Sequence, residues 1–207
     1  MAHELIADRQ ALTDHTVHLC VDMQRLFSSD GPWATPWLEP TLPAILELSR
    51  RFAPRTIFTR FIPPERAEQR PGQWHRYFLR WSEVTRERID RRLLHLLPSL
   101  DELVPPATIV DKPVYSPFHG SCLPTLLRDW RADSIVVSGA ETDICVLSTV
   151  LGAIDYGYRV VLVTDAVCSS SDAGHEAVLS LLRTRLSEQV AVATVEEVLV
   201  AWNPSPR

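Results

Sequence analysis

The stretch SIVVSGAETDICVLSTVLGAIDYGYRVVLVTD, residues 134–165, decides the fold class. It begins with a run of β-branched residues (134–140), continues with apolar residues at helical spacing (143–156) and ends with a second valine-rich run (159–165). Such runs predict buried strands. Two strands joined by a helix pair in parallel, because the chain must cross back before it enters the next strand. The stretch therefore predicts a βαβ unit.

The same alternation extends to both sides of this unit. The other predicted strands are residues 16–22, 55–60, 108–112 and 190–193, and the other predicted helices are residues 42–52, 121–130, 172–186 and 195–202. This order predicts an α/β fold with a six-stranded, mostly parallel sheet covered by helices on both faces. No repeat or Pro/Gly-rich linker divides the chain, so we interpret residues 1–207 as one domain.

Composition and charge narrow the class of protein. The 207 residues carry a formal net charge of -5, with 45% hydrophobic and 23% charged residues. A negative balance argues against a nucleic-acid partner, which requires a basic footprint. No apolar run approaches the roughly 20 residues of a membrane helix, and the N-terminus does not resemble a signal peptide. We therefore expect no membrane partner and a cytoplasmic location.

The region between the second and third strands, residues 62–97, is interpreted as an insertion near the active site, because it is far longer than a minimal crossover. Within it Trp74, Tyr77, Phe78 and Trp81 are spaced as one face of a helix. This stripe is a candidate pocket wall, but such stripes more often form core or a subunit interface. The many arginines of the insertion are either receptors for a substrate carboxylate or a solvated charged surface, and the second interpretation is favoured.

Polar residues follow the predicted strands where they end. Asp22 ends the first strand, Lys112 the third and Gly139–Ala140 the fourth, and Cys145 comes shortly afterwards. Because the carboxyl ends of the strands line the ligand crevice of a doubly wound sheet, we expect these side chains to gather at one edge.

The candidates for the wall of the substrate pocket are Phe27, Trp74, Tyr77, Trp81, Phe118 and His119.

The side chains of Asp22, Lys112 and Cys145 predict acyl transfer to a thiol. Cys145 falls in the first turn of a predicted helix that Thr142 or Asp143 would cap, and a helix start and a nearby ammonium both lower the pKa of a thiol. Asp22 would accept the thiol proton, Lys112 would stabilise negative charge, and backbone N–H groups would receive the oxyanion. We therefore predict that Cys145 is the most strongly activated of the four cysteines.

Each of the three residues also has a simpler interpretation when it is considered alone. A strand-end Asp22 often caps a turn, Lys112 beside a proline usually faces solvent, and Cys145 could be core packing. No two of the four cysteines form a CxxC pair, so a zinc knuckle or a thioredoxin-type site is not expected, and we expect free thiols.

Three segments carry a family resemblance. VDMQRLF (residues 21–27), DKPVYSPF (111–118) and GAETDICVLST (139–149) resemble, in this order, the signature segments of the isochorismatase-like cysteine hydrolases. The resemblance implies a three-layer α/β/α Rossmann-like sandwich with strand order 3-2-1-4-5-6. It implies that Asp22, Lys112 and Cys145 are the catalytic residues. It also implies a non-proline cis peptide at Ala140–Glu141 that, with the start of the Cys145 helix, aims N–H groups at the substrate oxygen.

The subfamilies of this resemblance differ in chemistry. Nicotinamidases carry a metal-binding Asp-x-His after the second strand, whereas residues 59–78 here contain no Asp and only His75. We therefore expect no metal and no other cofactor. Isochorismatases, which cleave a vinyl ether, commonly lack the nucleophilic cysteine. The presence of Cys145 predicts cleavage of a C–N bond in an amide, ureide or carbamoyl group of a small molecule, through a thioester.

Two alternatives remain beside this interpretation, and a third is excluded. The first is a vinyl-ether hydrolase of the isochorismatase type, and the second is a catalytically silent binding or assembly protein on the same fold. The third, a dinucleotide-binding oxidoreductase, is excluded because the first strand is followed by MQRLFSSDGPW (residues 23–33) instead of a G-x-G-x-x-G turn. We also expect a homo-oligomer, a dimer or a tetramer.

Overall fold

The computed structural model describes residues 12–202, and these form a single six-stranded sheet in the order β3-β2-β1-β4-β5-β6. Every neighbouring pair of strands is parallel. The strands are β1 (Thr16–Val21), β2 (Thr56–Phe61), β3 (Thr108–Lys112), β4 (Ser134–Ala140), β5 (Arg159–Cys168) and β6 (Val190–Ala193). The α/β class and the strand order that the resemblance implied are confirmed, and the sheet is fully parallel.

Helices cover the sheet on both faces and make the three layers. They are α1 (Leu38–Arg51), α2 (Gly72–Arg80), α3 (Pro98–Asp101), α4 (Leu123–Asp129), α5 (Leu147–Asp155), α6 (Asp172–Arg185) and α7 (Val195–Ala201). Buried side chains of α1, α3 and α7 belong to one hydrophobic core, and those of α4, α5 and α6 belong to a second core. The alternating residues of β1 connect the layers, since Val17, Leu19 and Val21 face the second core and Cys20 faces the first.

Most predicted elements are present, with changes at their ends. Helix α1 begins at Leu38, four residues earlier than predicted, because Pro40 falls in its first turn, where a backbone N–H has no helical partner. Strand β5 extends to Cys168, three residues beyond the prediction, because β4 continues to pair with it past a register shift between Val137 and Gly139. The largest change is at residues 142–146, which form a π-helical turn before α5 begins.

The insertion at residues 62–97 is more ordered than its sequence suggested. It contains helix α2 and three 3₁₀ turns, at Ala67–Gln69, Ser82–Val84 and Arg91–Leu94. Phe78, a residue of α2, is fully buried. No helix within residues 12–202 is long and apolar enough to span a membrane.

The chain reverses its direction across the sheet between β1 and β4, which are adjacent at its centre. Such a reversal opens a crevice at the carboxyl ends of the two strands. Gly139 allows the close approach there, because its φ is +111° and a Cβ would lie 2.1 Å from the carbonyl oxygen of Val21. The fold therefore brings the residue after β1, Asp22, next to the end of β4.

Candidate active site

Asp22 is held at the end of β1 by the neighbouring strand. It is fully buried, and its φ of +51° turns the chain out of the sheet. Its backbone N–H donates to the carbonyl and to the hydroxyl of Thr59, and the Thr59 hydroxyl donates to Oδ1 at 2.7 Å. These bonds fix the orientation of the carboxylate and leave Oδ2 for an ion pair.

The partner in that ion pair is Lys112, the last residue of β3. Its Nζ lies 2.7 Å from Asp22 Oδ2, and the side chains of both residues are completely buried. Nζ also donates to the carbonyl of Val114 at 3.1 Å and contacts Cys145 Sγ at 3.4 Å. Two strands separated by β2 therefore place an anion and a cation against one thiol, and Lys112 does not face solvent.

Cys145 lies in the π-helical turn after β4. The carbonyl of Glu141 accepts from the backbone N–H groups of Ile144 at 3.2 Å and of Val146 at 3.0 Å, and these two residues flank the cysteine. The Ala140–Glu141 peptide bond before the turn is cis. Turns of this wide kind occur often at functional sites.

Neither residue that we predicted as the cap of this helix performs that role. Glu141 occupies the cap position, and no side chain caps the turn. The Thr142 hydroxyl is instead paired with Nδ1 of His175 at 2.9 Å, and Asp143 accepts a hydrogen bond of 2.6 Å from Ser169. Both side chains are thus used to join the turn to β5 and α6, a contact that is remote in sequence.

The electrostatics of the buried trio oppose the expectation that the Cys145 thiol is activated at rest. Burial raises the pKa of the Cys145 thiol and the adjacent Asp22 carboxylate raises this pKa further, while Lys112 lowers it less. Burial by itself lowers the pKa of Lys112, but Asp22 and Cys145 outweigh this and hold the pKa above its ordinary value. These shifts favour a protonated Cys145 thiol, beside the Asp22–Lys112 ion pair, over a preformed thiolate in the resting site.

A cavity of about 440 Å³ opens over the thiol. It is lined by Phe27, Pro32, Trp33, Ala34, Phe61, Tyr77, Trp81, Tyr115, Glu141, Ile144, Cys145 and Ser170. Asp22 and Lys112 lie behind this wall, so Cys145 is the member of the trio that a ligand would meet. A volume of this size suits a small molecule.

The chain is similar in sequence to a known protein family and to several of its members. The model of the isochorismatase domain matches residues 16–197. The chain belongs to the isochorismatase family. Its relatives include a Bacillus subtilis protein described as an uncharacterized isochorismatase family protein, which is 37% identical over 82 residues, or 40% of this chain and 45% of the relative. Nicotinamidase 3 of Arabidopsis thaliana is 28% identical over 162 residues, or 78% of this chain and 77% of the relative.

The fold of this isochorismatase-family chain is shared by solved structures. A cysteine hydrolase from Pseudomonas syringae pv. phaseolicola 1448A superposes with a TM-score of 0.76 and 22% identity, over 94% of this chain and 97% of that one. The alignments to the first curated relatives, by contrast, span only about half of those proteins.

Only half of the predicted pocket wall lines the cavity of the isochorismatase-family chain. Phe27, Tyr77 and Trp81 lie on it. Trp74 lies behind the wall, with its ring 4.9 Å from Tyr115 and 5.4 Å from Tyr77. The ring of Phe118 lies 5.1 Å from that of Tyr156 at a tilt of 32°, and neither Phe118 nor His119 reaches the cavity. Trp74 is behind the wall because helix α2 turns one edge of its aromatic stripe to the cavity and the other edge to the core.

The arginines of the insertion also lie away from the cavity. Arg86 and Arg91 pair with Glu65, Arg66 pairs with Glu87, and Arg92 pairs with Asp90. No arginine or lysine is among the residues that line the cavity within the described part of the chain. These ion pairs and the composition of the cavity wall favour the interpretation as a charged surface over the interpretation as receptors for a substrate carboxylate.

Several contributors to this isochorismatase-family site were missed by sequence reasoning. Gln24 is buried, and its amide bonds Phe61 N–H at 2.7 Å, the Phe61 carbonyl at 3.1 Å and the Leu94 carbonyl at 2.8 Å, which ties the insertion to β2. Trp33, in the loop after β1, is surrounded by aromatic rings of the cavity wall. Gln24 could have been found because it is a polar residue only two positions after Asp22. Nothing in the sequence marked Trp33.

The thiol environments predict an order of alkylation that differs from the sequence expectation. We expect limiting iodoacetamide at near-neutral pH to label Cys122 first, because Cys122 is exposed while Cys20, Cys145 and Cys168 are buried. Burial also raises the pKa of Cys20 and of Cys168 to about 12. Peptide mass mapping of the wild type, with Cys122→Ser as the control, measures this order. Earlier labelling of Cys145 would show that its thiol is activated in the resting protein after all.

Proposed function

We propose that this protein is a cysteine hydrolase that cleaves a C–N bond, in an amide, ureide or carbamoyl group of a small molecule, through a thioester on Cys145. The observation that carries the proposal is the buried Asp22–Lys112 pair in contact with a thiol that forms part of a cavity wall. The nicotinamidase among the relatives, whose name denotes an amide hydrolase, supports the same bond type.

Asp22 transfers the protons in the proposed reaction, Cys145 is the nucleophile, and Lys112 and the backbone N–H groups stabilise negative charge. Asp22 accepts the proton of the Cys145 thiol as Sγ attacks the carbonyl carbon, so the raised pKa of the thiol is overcome only when a substrate is in place. Lys112 stabilises the negative charge of the site, and the backbone N–H groups of Glu141 and Cys145 receive the oxyanion. The C–N bond breaks as Asp22 returns the proton to the leaving nitrogen. Water then attacks the thioester, gives a proton to Asp22 and releases the acid as Asp22 reprotonates the thiol.

The charges of the cavity wall weigh against the vinyl-ether alternative. Isochorismate is a dicarboxylate, and a site for it needs cationic side chains. Here the charged side chain on the wall is the carboxylate of Glu141. The silent-protein alternative is weakened by the cost of burying Asp22 and Lys112, since well-packed apolar residues usually replace such a pair without loss of stability.

A screen of primary amides, ureides and carbamoyl compounds for release of ammonia or amine tests the proposed function. We expect turnover of at least one class by the purified protein and none by Cys145→Ala assayed in parallel. Turnover of isochorismate with no amide turnover would favour the vinyl-ether alternative.

In the same assay we expect turnover to be unchanged after dialysis against a strong chelator. Within residues 12–202 no three His, Cys, Asp or Glu side chains lie close enough together to hold a metal ion. His75, the candidate that residues 59–78 offered, lies on α2 and is not part of the cavity wall. Loss of turnover that added zinc or manganese restores would contradict this prediction.

Assembly as a dimer or a tetramer and the cytoplasmic location stay predictions.

A further inference from the structure

The wall of the cavity contains an aromatic cage, which we define as Trp33, Tyr77 and Trp81. The ring of Trp33 lies 5.9 Å from that of Trp81 at an interplanar angle of 83°, so the two indoles form perpendicular walls. The phenol ring of Tyr77 lies 6.2 Å from Trp33 at 56° and adds a third, tilted surface. Rings set at such angles to one another can present several π surfaces to one compact group.

A carboxylate accompanies the cage. Glu141 lines the same cavity, and its Oε1 accepts from the backbone N–H of Ser170 at 3.0 Å and from the Thr35 hydroxyl at 3.3 Å. These bonds hold the carboxylate in place from two separate loops. Burial raises the pKa of Tyr77, and Glu141 is among the groups that raise it further, so the phenol stays uncharged beside the carboxylate.

The positive charges of Lys112 and Arg80 lie near the cavity but outside its wall. Lys112 is neutralised by Asp22 at 2.7 Å and lies behind the wall. The guanidinium of Arg80 lies 5.7 Å from the ring of Trp81 but is not part of the cavity wall. The wall is therefore aromatic with a net negative charge, which disfavours an anionic ligand and favours a cationic one.

We propose that the non-reacting part of the substrate is a compact organic cation, a quaternary or protonated amine, that the aromatic cage and Glu141 hold together. Ring faces carry the negative end of an aromatic quadrupole and attract a cation, and a fixed carboxylate adds an ion pair in a partly desolvated site. The substrate class is then an amide or ureide that carries an alkylammonium group. This inference rests on the proposed function for the bond that is cleaved, whereas the recognition of the cation can be measured without turnover.

A pair of isosteric ligands tests the recognition. Choline and 3,3-dimethyl-1-butanol have the same shape and differ in the charge of the central atom of the bulky group. We expect calorimetric titration of the full-length protein to give at least about tenfold tighter binding of choline, the scale of a desolvated cation–π contact. Glu141→Gln and Trp81→Leu should each reduce this ratio several-fold. Glu83→Gln, which removes an equal charge from an exposed position of the insertion, should leave the ratio unchanged.

A matched pair of amides, trimethylammonioacetamide and 3,3-dimethylbutanamide, tests the link to catalysis. We expect kcat/KM to be at least about tenfold higher for the charged amide, and Glu141→Gln to narrow the difference while turnover of the neutral amide changes less. Equal binding of the two alcohols, no binding of choline, or a ratio that Glu141→Gln leaves intact would overturn the inference. Hydrolysis of both amides at equal rates would leave the proposed function standing without it. Selective choline binding with no turnover of either amide or in the wider screen would support the cage and count against the proposed function.

Discussion

We expect Cys145→Ala to abolish turnover and to remove an acyl adduct that the wild type accumulates. Sγ is the atom that contacts Lys112 at the wall of the cavity, so the proposed attack depends on it. The measurement is the intact-protein mass after rapid quench with a slowly hydrolysed substrate. The wild type should carry the mass of one acyl group, and Cys145→Ala should not.

The variant should remain folded, which makes the result interpretable. The backbone around Cys145 is held independently of the thiol, since its carbonyl accepts a 2.6 Å bond from the Thr149 hydroxyl. Loss of one sulfur from this turn is expected to cost about 1 kcal/mol of unfolding free energy, within the usual range for a single substitution. Cys145→Ser is the matched control of shape. Near-normal turnover by Cys145→Ser with no adduct on the wild type would refute the thioester and move the vinyl-ether alternative ahead.

Each partner of the thiol should be required as well. Asp22→Asn keeps the shape of the side chain but removes the proton acceptor, and Lys112→Met keeps most of the stem but removes the charge. We expect each to lower kcat by about 10²-fold or more, the usual scale for loss of a proton-transfer partner. Because the trio acts as a unit, the double variant should be scarcely slower than either single variant.

Stability separates this catalytic effect from a structural one. Removal of one member of a buried ion pair leaves the other uncompensated, at a typical cost of about 3–5 kcal/mol. Lys112→Met strands the Asp22 carboxylate, whereas the double variant Asp22→Asn, Lys112→Met does not, so the double variant should unfold at a higher urea concentration than Lys112→Met. A variant that regained stability and turnover together would show that the pair is structural and not catalytic.

The sequence could predict the fold in its main features because the signals are local. Runs rich in Val, Ile and Thr mark all six strands, and apolar spacing marks most of the helices between them. The positions of Asp22 and Lys112 at strand ends then place them at one edge of a parallel sheet before any side-chain contact is known. The ends of elements were less certain, since the extension of β5 depends on its pairing with β4.

The pocket could be predicted only in part, because its wall is assembled from segments far apart in the chain. Trp33 comes from the loop after β1, Tyr77 and Trp81 from the insertion, and Glu141 from the turn after β4. Helical spacing groups Trp74 with Tyr77 and Trp81, but it does not say which edge of the stripe meets the cavity. That choice depends on the packing of α2 against Tyr115 and the core.

The sequence by itself thus determined the succession of strands and helices along the chain and the placement of Asp22, Lys112 and Cys145 at one edge of the sheet, because these follow from periodicity and position along the chain. Only the tertiary structure decided the direction in which the pKa of the resting thiol is shifted and which residues form the cavity wall. Burial raises the pKa of Cys145, whereas the helix start that the sequence suggested would lower it. Burial is a property of the whole fold. The aromatic and acidic wall likewise exists only where distant segments meet.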